Sequence, residues 1–558
     1  MRPIPTQRHL IAVMILAAVA AASGALAWAD PGLADSQVHV STTAAKRAHP
    51  NSLYVSDLVY GPSELWRLSS PAFQGLLELI LAPTGYRDLT LPFRVLAGPA
   101  VLFFLCGMYA LLYRQTRSWS VSAYVAVLSS MVTYALGRSF WGLGSLASIT
   151  PSGLVLAFVP WVVLSFLHYN DQWRVVLAFL ALGILGNFHL DVAANLSIIL
   201  AIVYLGQRRF HPRAWPMAAA CLGVAALASL PYWAYFLGMY HRLSGGQQPD
   251  AELVSRAFEL GQLAVLYPWV FDSLLNWLVV AAIPLVASVA VLLRFERFRV
   301  RFSGAWAWFI VAGLFVALGL HGLSQLVGVF RHEAPPVIDF VQASALVMLP
   351  LYVLLAQCLT HLFRLVRRQR IWLRVVCGVL LVAWVLPADN VQVVRHRMYD
   401  ALTGHMEESQ KPRRVQQIHI QRQQRAERAA MAEWAQNRSH LASVFLFDDA
   451  VFRMRSRRSL VAAREDVRYI FYLAPHQLEA WMELESQQQK LLSPPAKMRD
   501  LDEIRAWVSH LRQPPSMFAD VPEWYVVLTT RVAPESPGGA EEIRDAHWGR
   551  HYRLFRLR

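Results

Sequence analysis

The sequence predicts a polytopic α-helical membrane protein with about eleven transmembrane helices and a small C-terminal α/β domain outside the membrane. Hydrophobic residues make up 56% of the 558 residues, and they recur in runs long enough to cross a bilayer. Charged residues account for only 16% of the chain and cluster between those runs. Arginines in the connecting segments explain the net charge of +15, so we expect membrane lipids and no nucleic acid as partners.

The predicted spans divide the chain into four parts. These are an N-terminal signal-anchor span (1–29), a first outer loop with an interfacial helix (30–92), a multi-span membrane domain (93–390) and the C-terminal domain (391–558). The spans are predicted at 10–29, 93–113, 119–137, 152–168, 174–188, 190–206, 214–238, 272–293, 304–327, 338–363 and 371–388. The small residues at the end of the first span are also compatible with a cleaved signal peptide, but we favour a retained anchor.

Arginine placement predicts the orientation of these spans. With the N-terminus in the cytoplasm, the inner segments hold seventeen arginines, whereas the short outer loops hold four, Arg138, Arg242, Arg256 and Arg331. Retention of positive charge on the cytoplasmic side is the general rule for membrane proteins. An odd number of spans then places the C-terminal domain on the outer side, together with the first loop.

Both outer segments contain predicted secondary structure. In the first loop, residues 73–82 form a short amphipathic pattern typical of a helix lying along a membrane surface. In the C-terminal domain we expect helices at 411–438, 475–491 and 500–512, and strands at 444–447, 524–528 and 552–557. The mixture predicts a small α/β domain.

Ionisable residues at the outer ends of spans are the candidate functional residues, because charge near the hydrocarbon region is costly unless it is paired, hydrated or functional. Asp57, in an aromatic stretch of the first loop, suits a general base or a ligand of a divalent metal ion, and the alternative is an ordinary loop aspartate. His189 and Asp191 flank the junction of two short spans. They would orient a substrate hydroxyl or a lipid phosphate, or else serve as a polar cap for a tight hairpin.

Basic residues offer complementary candidates. Arg331 and His332 would hold a lipid phosphate, although Arg331 could instead pair with Glu333 in an exposed loop. Arg138 lies beside aromatic residues, which favours sugar stacking or an interface anchor. The basic run at 452–459 would contact anionic head groups or a glycan, or form a solvated face.

The whole organisation resembles bacterial membrane glycosyltransferases of the GT-C superfamily. Three stretches carry the resemblance. Leu53-Tyr-Val-Ser-Asp57 resembles the aromatic-plus-aspartate element of the first outer loop, and Gly186-Asn-Phe-His-Leu-Asp191 resembles the His-containing turn between middle spans. The third comprises tail positions similar to the outer domain of such proteins, namely Trp434, Phe445, Phe452-Arg453, Arg458-Ser459, Tyr525-Val-Val-Leu528 and Tyr552-Arg-Leu-Phe555. Here Asp57 lies further after the first span than the acidic residue of many family members, and no acidic pair accompanies it.

The resemblance implies a GT-C-like fold in the bacterial inner membrane, with a cytoplasmic N-terminus and a periplasmic C-terminal domain. It implies transfer of a sugar from a polyprenyl-phosphate donor to a glycan, lipid or protein acceptor. Asp57 would be the catalytic residue, with Arg331, His332, His189, Asp191 and Arg138 binding substrates. It leaves open whether a divalent metal ion is needed. A non-catalytic scaffold for envelope polysaccharide is the alternative, and a transporter ranks last because few charges fall within spans.

Overall fold

The computed structural model of the protein describes residues 6–29, 32–33, 35–61, 64–67, 69–133, 140–244, 250–259, 275, 304–331, 339–366, 371, 375, 390–392, 394–395, 398, 413–492, 501–514, 516–534 and 539–557. Over these residues, helices fill the first part of the chain, and a mixed α/β domain follows at the C-terminal end.

The helices of the first part include six that are long and apolar enough to cross a membrane, counted over the described ranges. In chain order they are α1 (Thr6–Ala29), α2 (Asp35–Ala48), α3 (Pro71–Leu81), α4 (Leu91–Thr116), α5 (Trp119–Met131), α6 (Pro151–Tyr169), α7 (Val176–Gly186), α8 (Leu190–Gln207), α9 (Trp215–Ala228), α10 (Leu230–Ser244), α11 (Ala251–Glu259), α12 (Gly304–Leu314), α13 (His321–Arg331), α14 (Ala343–Leu346) and α15 (Met348–Val366). A π-helical turn joins α12 to α13 in one span, and a short 3-10 turn precedes α14 in another. The chain is therefore a multi-pass membrane protein.

Some predicted spans take a different form. The predicted spans at 119–137 and 174–188 contain the shorter apolar helices α5 and α7, and those at 272–293 and 371–388 lie outside the described residues except at positions 275, 371 and 375. The predicted span at 214–238 is not one helix, because α9 and α10 meet at an angle of 60°. Pro231 explains the break, since proline has no backbone N–H and its ring clashes with the preceding turn.

The first outer loop contains two helices. The predicted amphipathic helix at 73–82 is α3, which buries Phe73 and Leu77 and leaves Leu79 exposed. The sequence did not predict α2, because its serines, threonines and valines are weak helix formers. Tertiary contacts hold it instead. Ser41 Oγ donates to the Leu89 carbonyl at 3.0 Å, and Thr43 Oγ1 donates to the Trp66 carbonyl at 3.1 Å.

The C-terminal domain is built on a five-stranded sheet in the order β2-β1-β3-β5-β4. The strands are β1 (Val444–Leu446), β2 (Ser459–Leu460), β3 (Trp524–Thr529), β4 (Glu541–Ile543) and β5 (Tyr552–Leu557), and the helices are α16 (Arg413–Arg438), α17 (Ala450–Ser456), α18 (Val467–Leu473), α19 (Leu478–Leu492) and α20 (Leu501–Leu511). The pairs β2–β1 and β1–β3 are parallel, and β3–β5 and β5–β4 are antiparallel. The predicted α/β domain is confirmed.

Successive side chains of a strand point to opposite faces of the sheet, so each face has its own hydrophobic core. Val444 and Leu446 of β1 pack with α20, whereas Phe445 between them packs with α16 on the opposite face. The short strands are therefore covered on both sides, as parallel strands usually are.

Candidate functional site

The C-terminal domain packs on the first outer loop through a shared hydrophobic core. Tyr54 and Val59 from the loop and Ile470 and Trp481 from the domain are all fully buried in this one cluster. Helix α2 also contacts α17. The loop and the domain are therefore packed together through one core.

Asp57 lies inside this interface and is completely buried. Its Oδ1 accepts hydrogen bonds from the backbone N–H groups of Val59 and Tyr60, both at 3.1 Å. Its Oδ2 accepts one from the N–H of Leu460 in β2 at 3.1 Å, and the Nε of Arg453 is 2.9 Å from the same oxygen. Both carboxylate oxygens are thus bonded to donors of the protein itself.

Arg453 joins Asp57 to a second buried carboxylate. Its two terminal nitrogens donate to the two oxygens of Asp466, each at 2.7 Å, in the bidentate geometry that suits a guanidinium. Burial raises the pKa of the Asp57 carboxyl, and the Arg453 guanidinium opposes this. Burial disfavours the Arg453 cation, but the two carboxylates raise its pKa well above its ordinary value. We call Asp57, Arg453 and Asp466 the loop–domain clamp.

The backbone around Asp57 is tightly turned. The Asp57 carbonyl accepts a hydrogen bond from the N–H of Gly61 at 2.7 Å. A Cβ at position 61 would lie only 2.3 Å from that carbonyl oxygen, so a larger residue would displace the turn. Gly61 therefore allows the turn that aims Asp57 into the domain.

The clamp does not fit the predicted metal site. A guanidinium already lies between Asp57 and Asp466, and a cation there excludes a second one by charge. Among the described residues, no group of three or more His, Cys, Asp or Glu side chains is arranged to hold a metal ion. The contacts of Asp57 favour a positioning role over catalysis, because both of its carboxylate oxygens already accept hydrogen bonds from the protein.

A second polar cluster lies at the beginning of α8. The N–H of Asp339 donates to Asp191 Oδ1 at 3.3 Å, and Asn195 Nδ2 donates to the Asp339 carbonyl at 2.9 Å. Asp339 in turn caps the short 3-10 turn before α14, where its Oδ1 accepts from the Val341 N–H at 3.0 Å. Both carboxylates therefore stand at helix N-termini, where the helix dipole favours negative charge. We call Asp191 and Asp339 the carboxylate pair.

Several polar atoms in this cluster lack partners. Asp191 Oδ2 makes no hydrogen bond with any residue that the structure describes. Within the described residues, the Nδ1 of His189 and the Oδ1 of Asn195 are buried without a hydrogen-bond partner. Burial lowers the pKa of the His189 imidazole to about 4, so it is neutral at physiological pH. Unpaired buried polar atoms are costly and are common at binding sites.

Residues of the C-terminal domain lie next to the carboxylate pair. Tyr472 of α18 interacts electrostatically with both Asp191 and Asp339, and Arg468 one turn earlier interacts with Asp339. Tyr232 at the start of α10 also interacts with Asp191. Aromatic hydroxyls and a cation from two parts of the chain are therefore close enough to the pair to interact with it electrostatically.

Helix α18 connects the two clusters. Asp466 of the clamp immediately precedes the helix, and Tyr472 stands near its end. Six residues of α-helix span roughly 9 Å. The clamp therefore fixes the helix whose other end meets the carboxylate pair.

At its two most buried positions, the basic run at 452–459 neither contacts head groups or a glycan nor forms a solvated face. Arg453 and Arg458 are each only 2% exposed. Arg458 donates to the carbonyls of Gln436 at 2.8 Å and Ser439 at 2.9 Å, so it caps the C-terminal end of α16. The run of charges alone does not indicate which of its arginines are buried, because their partners Asp57, Asp466 and the end of α16 are distant in the sequence or belong to the backbone.

Within the described residues, neither cluster includes the predicted site residues Arg138, Arg331 and His332. Arg138 and His332 lie outside the described residues, and Arg331 ends α13 with its side chain outside them. His189 is the N-cap residue of α8 and Asp191 lies in its first turn, and within the described part of the chain no hydrogen bond or ion pair joins either of them to Asp57. Asp339 supplies the second carboxylate, and its signal in the sequence was an acidic residue at the outer end of the predicted span 338–363.

Fold and clusters together define a multi-pass membrane protein whose C-terminal α/β domain covers a polar site at the ends of its spans. No protein-family model matches the chain, and a search of curated proteins found no significant match.

Proposed function

We propose that this protein is a membrane glycosyltransferase that moves a sugar from a polyprenyl-phosphate donor to an acceptor at the outer face of the bacterial inner membrane. The proposal includes eleven spans, a cytoplasmic N-terminus and a periplasmic C-terminal domain. The observation that carries it is the carboxylate pair, Asp191 and Asp339, at the ends of two spans beneath Tyr472 and Arg468. Carboxylates enclosed at a membrane boundary are functional candidates by default.

Asp191 acts as the general base in this proposal, because its Oδ2 is the oxygen without a partner among the described residues. It accepts the proton of an acceptor hydroxyl while that oxygen attacks the anomeric carbon of the donor sugar. The bond between the anomeric carbon and the phosphate oxygen breaks, and its electron pair leaves with the polyprenyl phosphate. Asp339 holds Asp191 in place through its backbone N–H.

The donor phosphate requires a cation near this pair. Arg468 is a candidate because it interacts electrostatically with Asp339, and Arg331 with His332 remain candidates from the sequence. A planar guanidinium matches phosphate oxygens in bidentate fashion. The acceptor is a glycan, a lipid or a protein.

The test is a transfer assay on the purified full-length protein in proteoliposomes with radiolabelled polyprenyl-phosphate sugars. We expect Asp191→Asn to reduce transfer by about 100-fold or more, since general acid–base catalysis contributes about 10²–10⁴-fold. The matched control is Asp171→Asn, whose carboxylate is 98% exposed and should leave the rate unchanged. Absence of transfer by the wild type from all such donors would sink the proposal. Full activity of Asp191→Asn would exclude Asp191 as the base.

A non-catalytic scaffold for envelope polysaccharide is the second candidate, and the loop–domain clamp favours it. A buried ion cluster between loop and domain is what a rigid assembly platform would need. This alternative predicts that polysaccharide assembly in cells survives Asp191→Asn but is lost when Asp57→Ala loosens the domain. The enzyme proposal predicts loss in both variants.

A further inference from the structure

The C-terminal domain contains a cavity of about 160 Å³ whose lining residues belong to neither cluster. Phe447 and Asp448, which directly follow β1, line one side of it, and Thr529 at the end of β3 lines another. Tyr552, the first residue of β5, and Gln488 of α19 complete the wall.

The position of this cavity follows from the strand order. The chain leaves β1 for β2 on one side and later returns to β3 on the other side of β1, so the connections diverge between β1 and β3. Such a divergence opens a crevice outside the carboxyl ends of the two parallel strands, where open α/β sheets bind ligands. Phe447, Asp448 and Thr529 lie at those ends.

Gln488 supplies an independent indication of a ligand. Its side chain is 1% exposed, and its Nε2 donates to the Ala462 carbonyl at 2.8 Å. Its Oε1, by contrast, is buried and has no hydrogen-bond partner in the part of the chain that the structure describes. A buried acceptor left unpaired costs about 1–3 kcal/mol, which a ligand that donates a hydrogen bond would recover.

The chemistry of the wall selects the ligand class. Asp448 and Gln488 present acceptors, Thr529 and Tyr552 present hydroxyls, and Phe447 and Tyr552 present aromatic rings with centroids 6.0 Å apart. The lining residues within the described ranges include no lysine or arginine, so the Asp448 carboxylate would repel a phosphate. A cavity of about 150 Å³ holds a single six-membered ring.

We infer that this cavity binds one neutral sugar ring, with ring hydroxyls donating to Gln488 Oε1 and Asp448. Asp448 is fixed for this purpose, since its Oδ1 accepts from the Arg464 N–H at 3.0 Å and its Oδ2 from Gln489 Nε2 at 3.0 Å. The cavity would hold one residue of a glycan at a distance from the transfer site. The inference stands without the proposed transfer reaction, because binding needs neither a donor phosphate nor a base.

The experiment is ligand-observed NMR on the full-length protein in nanodiscs, with glucose, galactose, mannose and N-acetylglucosamine as probes. We expect at least one of these sugars to bind. Gln488→Leu should weaken that binding about tenfold, because it removes the buried acceptor and keeps the side-chain volume. The second variant, Thr529→Val, replaces an exposed residue by one of the same shape and should weaken sugar binding severalfold.

The matched control is Gln487→Leu, the neighbouring glutamine of α19, which does not line the cavity and should leave binding unchanged. Thermal melting of each variant checks that it folds. Failure of all four sugars to bind at millimolar concentrations would overturn the inference. So would binding of inorganic phosphate or AMP in their place, or unchanged sugar affinity in a folded Gln488→Leu protein.

Discussion

Removing the Asp57 carboxylate should loosen the C-terminal domain from the first outer loop. Asp57→Ala leaves the N–H groups of Val59, Tyr60 and Leu460 without their acceptor and removes one partner of Arg453. Breaking a buried ion pair in this way costs about 3–5 kcal/mol.

The lower end of that range applies here. Arg453 keeps its two hydrogen bonds to Asp466 in the variant, so it is not left uncompensated. Loss of Asp57 also removes the repulsion between two buried carboxylates, which raises the pKa of Asp57 in the wild type. We therefore expect destabilisation of the interface by about 3 kcal/mol, which corresponds to roughly 100-fold faster local opening.

Hydrogen exchange measured by mass spectrometry on the full-length protein in nanodiscs reads out this opening. Peptides from 450–473 and 35–61 should exchange about 100-fold faster in Asp57→Ala, whereas α20 peptides should be unaffected. Asp171→Asn, which removes an exposed carboxylate, should leave every peptide unchanged. An acceleration below about fivefold, equivalent to about 1 kcal/mol, would refute the clamp as an important contact.

Three further outcomes follow from the same contacts. Gly61→Ala should destabilise the loop by about 1–3 kcal/mol, because the added Cβ clashes with the Asp57 carbonyl. Gly75 lies in a helix with open space around it, so Gly75→Ala should stabilise the protein by about 0.5–1 kcal/mol. Thermal melting of both variants compares the two effects. Arg458→Ala should lower the melting temperature of the C-terminal domain, since it leaves the carbonyls at the end of α16 without their donor, and an unchanged midpoint would contradict the cap. The hydrogen bond from Arg553 lowers the pKa of Glu542. The folding free energy that this pair contributes is therefore fully present above about pH 4.3, the pKa of an unperturbed glutamate, and is lost as the pH falls through the lowered pKa. Glu542→Gln should flatten the acid limb of a stability–pH profile.

The multi-pass helical character was predictable because apolar runs of membrane length are a local property of the sequence, but six of the eleven predicted spans appear as membrane-length apolar helices among the described residues. The arginine pattern predicted that the first loop, the junction near His189, the segment before residue 340 and the C-terminal domain share one side. The ion pair of Asp57 with Arg453 and the electrostatic interaction of Asp191 with Tyr472 are consistent with these segments sharing one face. Which side of the membrane that face occupies remains a prediction.

The partners of the candidate residues were not predictable from the sequence. Asp57 and Arg453 are 396 positions apart, and no periodicity in a single sequence links them. The sequence identified Asp57 as unusual because an acidic residue in an aromatic loop is costly. Pairing with a buried arginine offsets this cost, so the cost alone does not distinguish a structural aspartate from a catalytic one. Helix α2 was missed for a related reason, since buried hydroxyl contacts outweigh its weak helix propensity.

Chemical rescue of the base tests the proposed function most directly. Asp191→Ala removes the carboxylate and leaves a space for a small anion, so added formate should restore a measurable part of the lost sugar transfer. The same concentration of formate should not restore transfer to Asp57→Ala, because that variant loses a contact between loop and domain rather than a proton acceptor. Transfer by Asp191→Ala at the wild-type rate, or rescue of Asp57→Ala alone, would contradict the assignment.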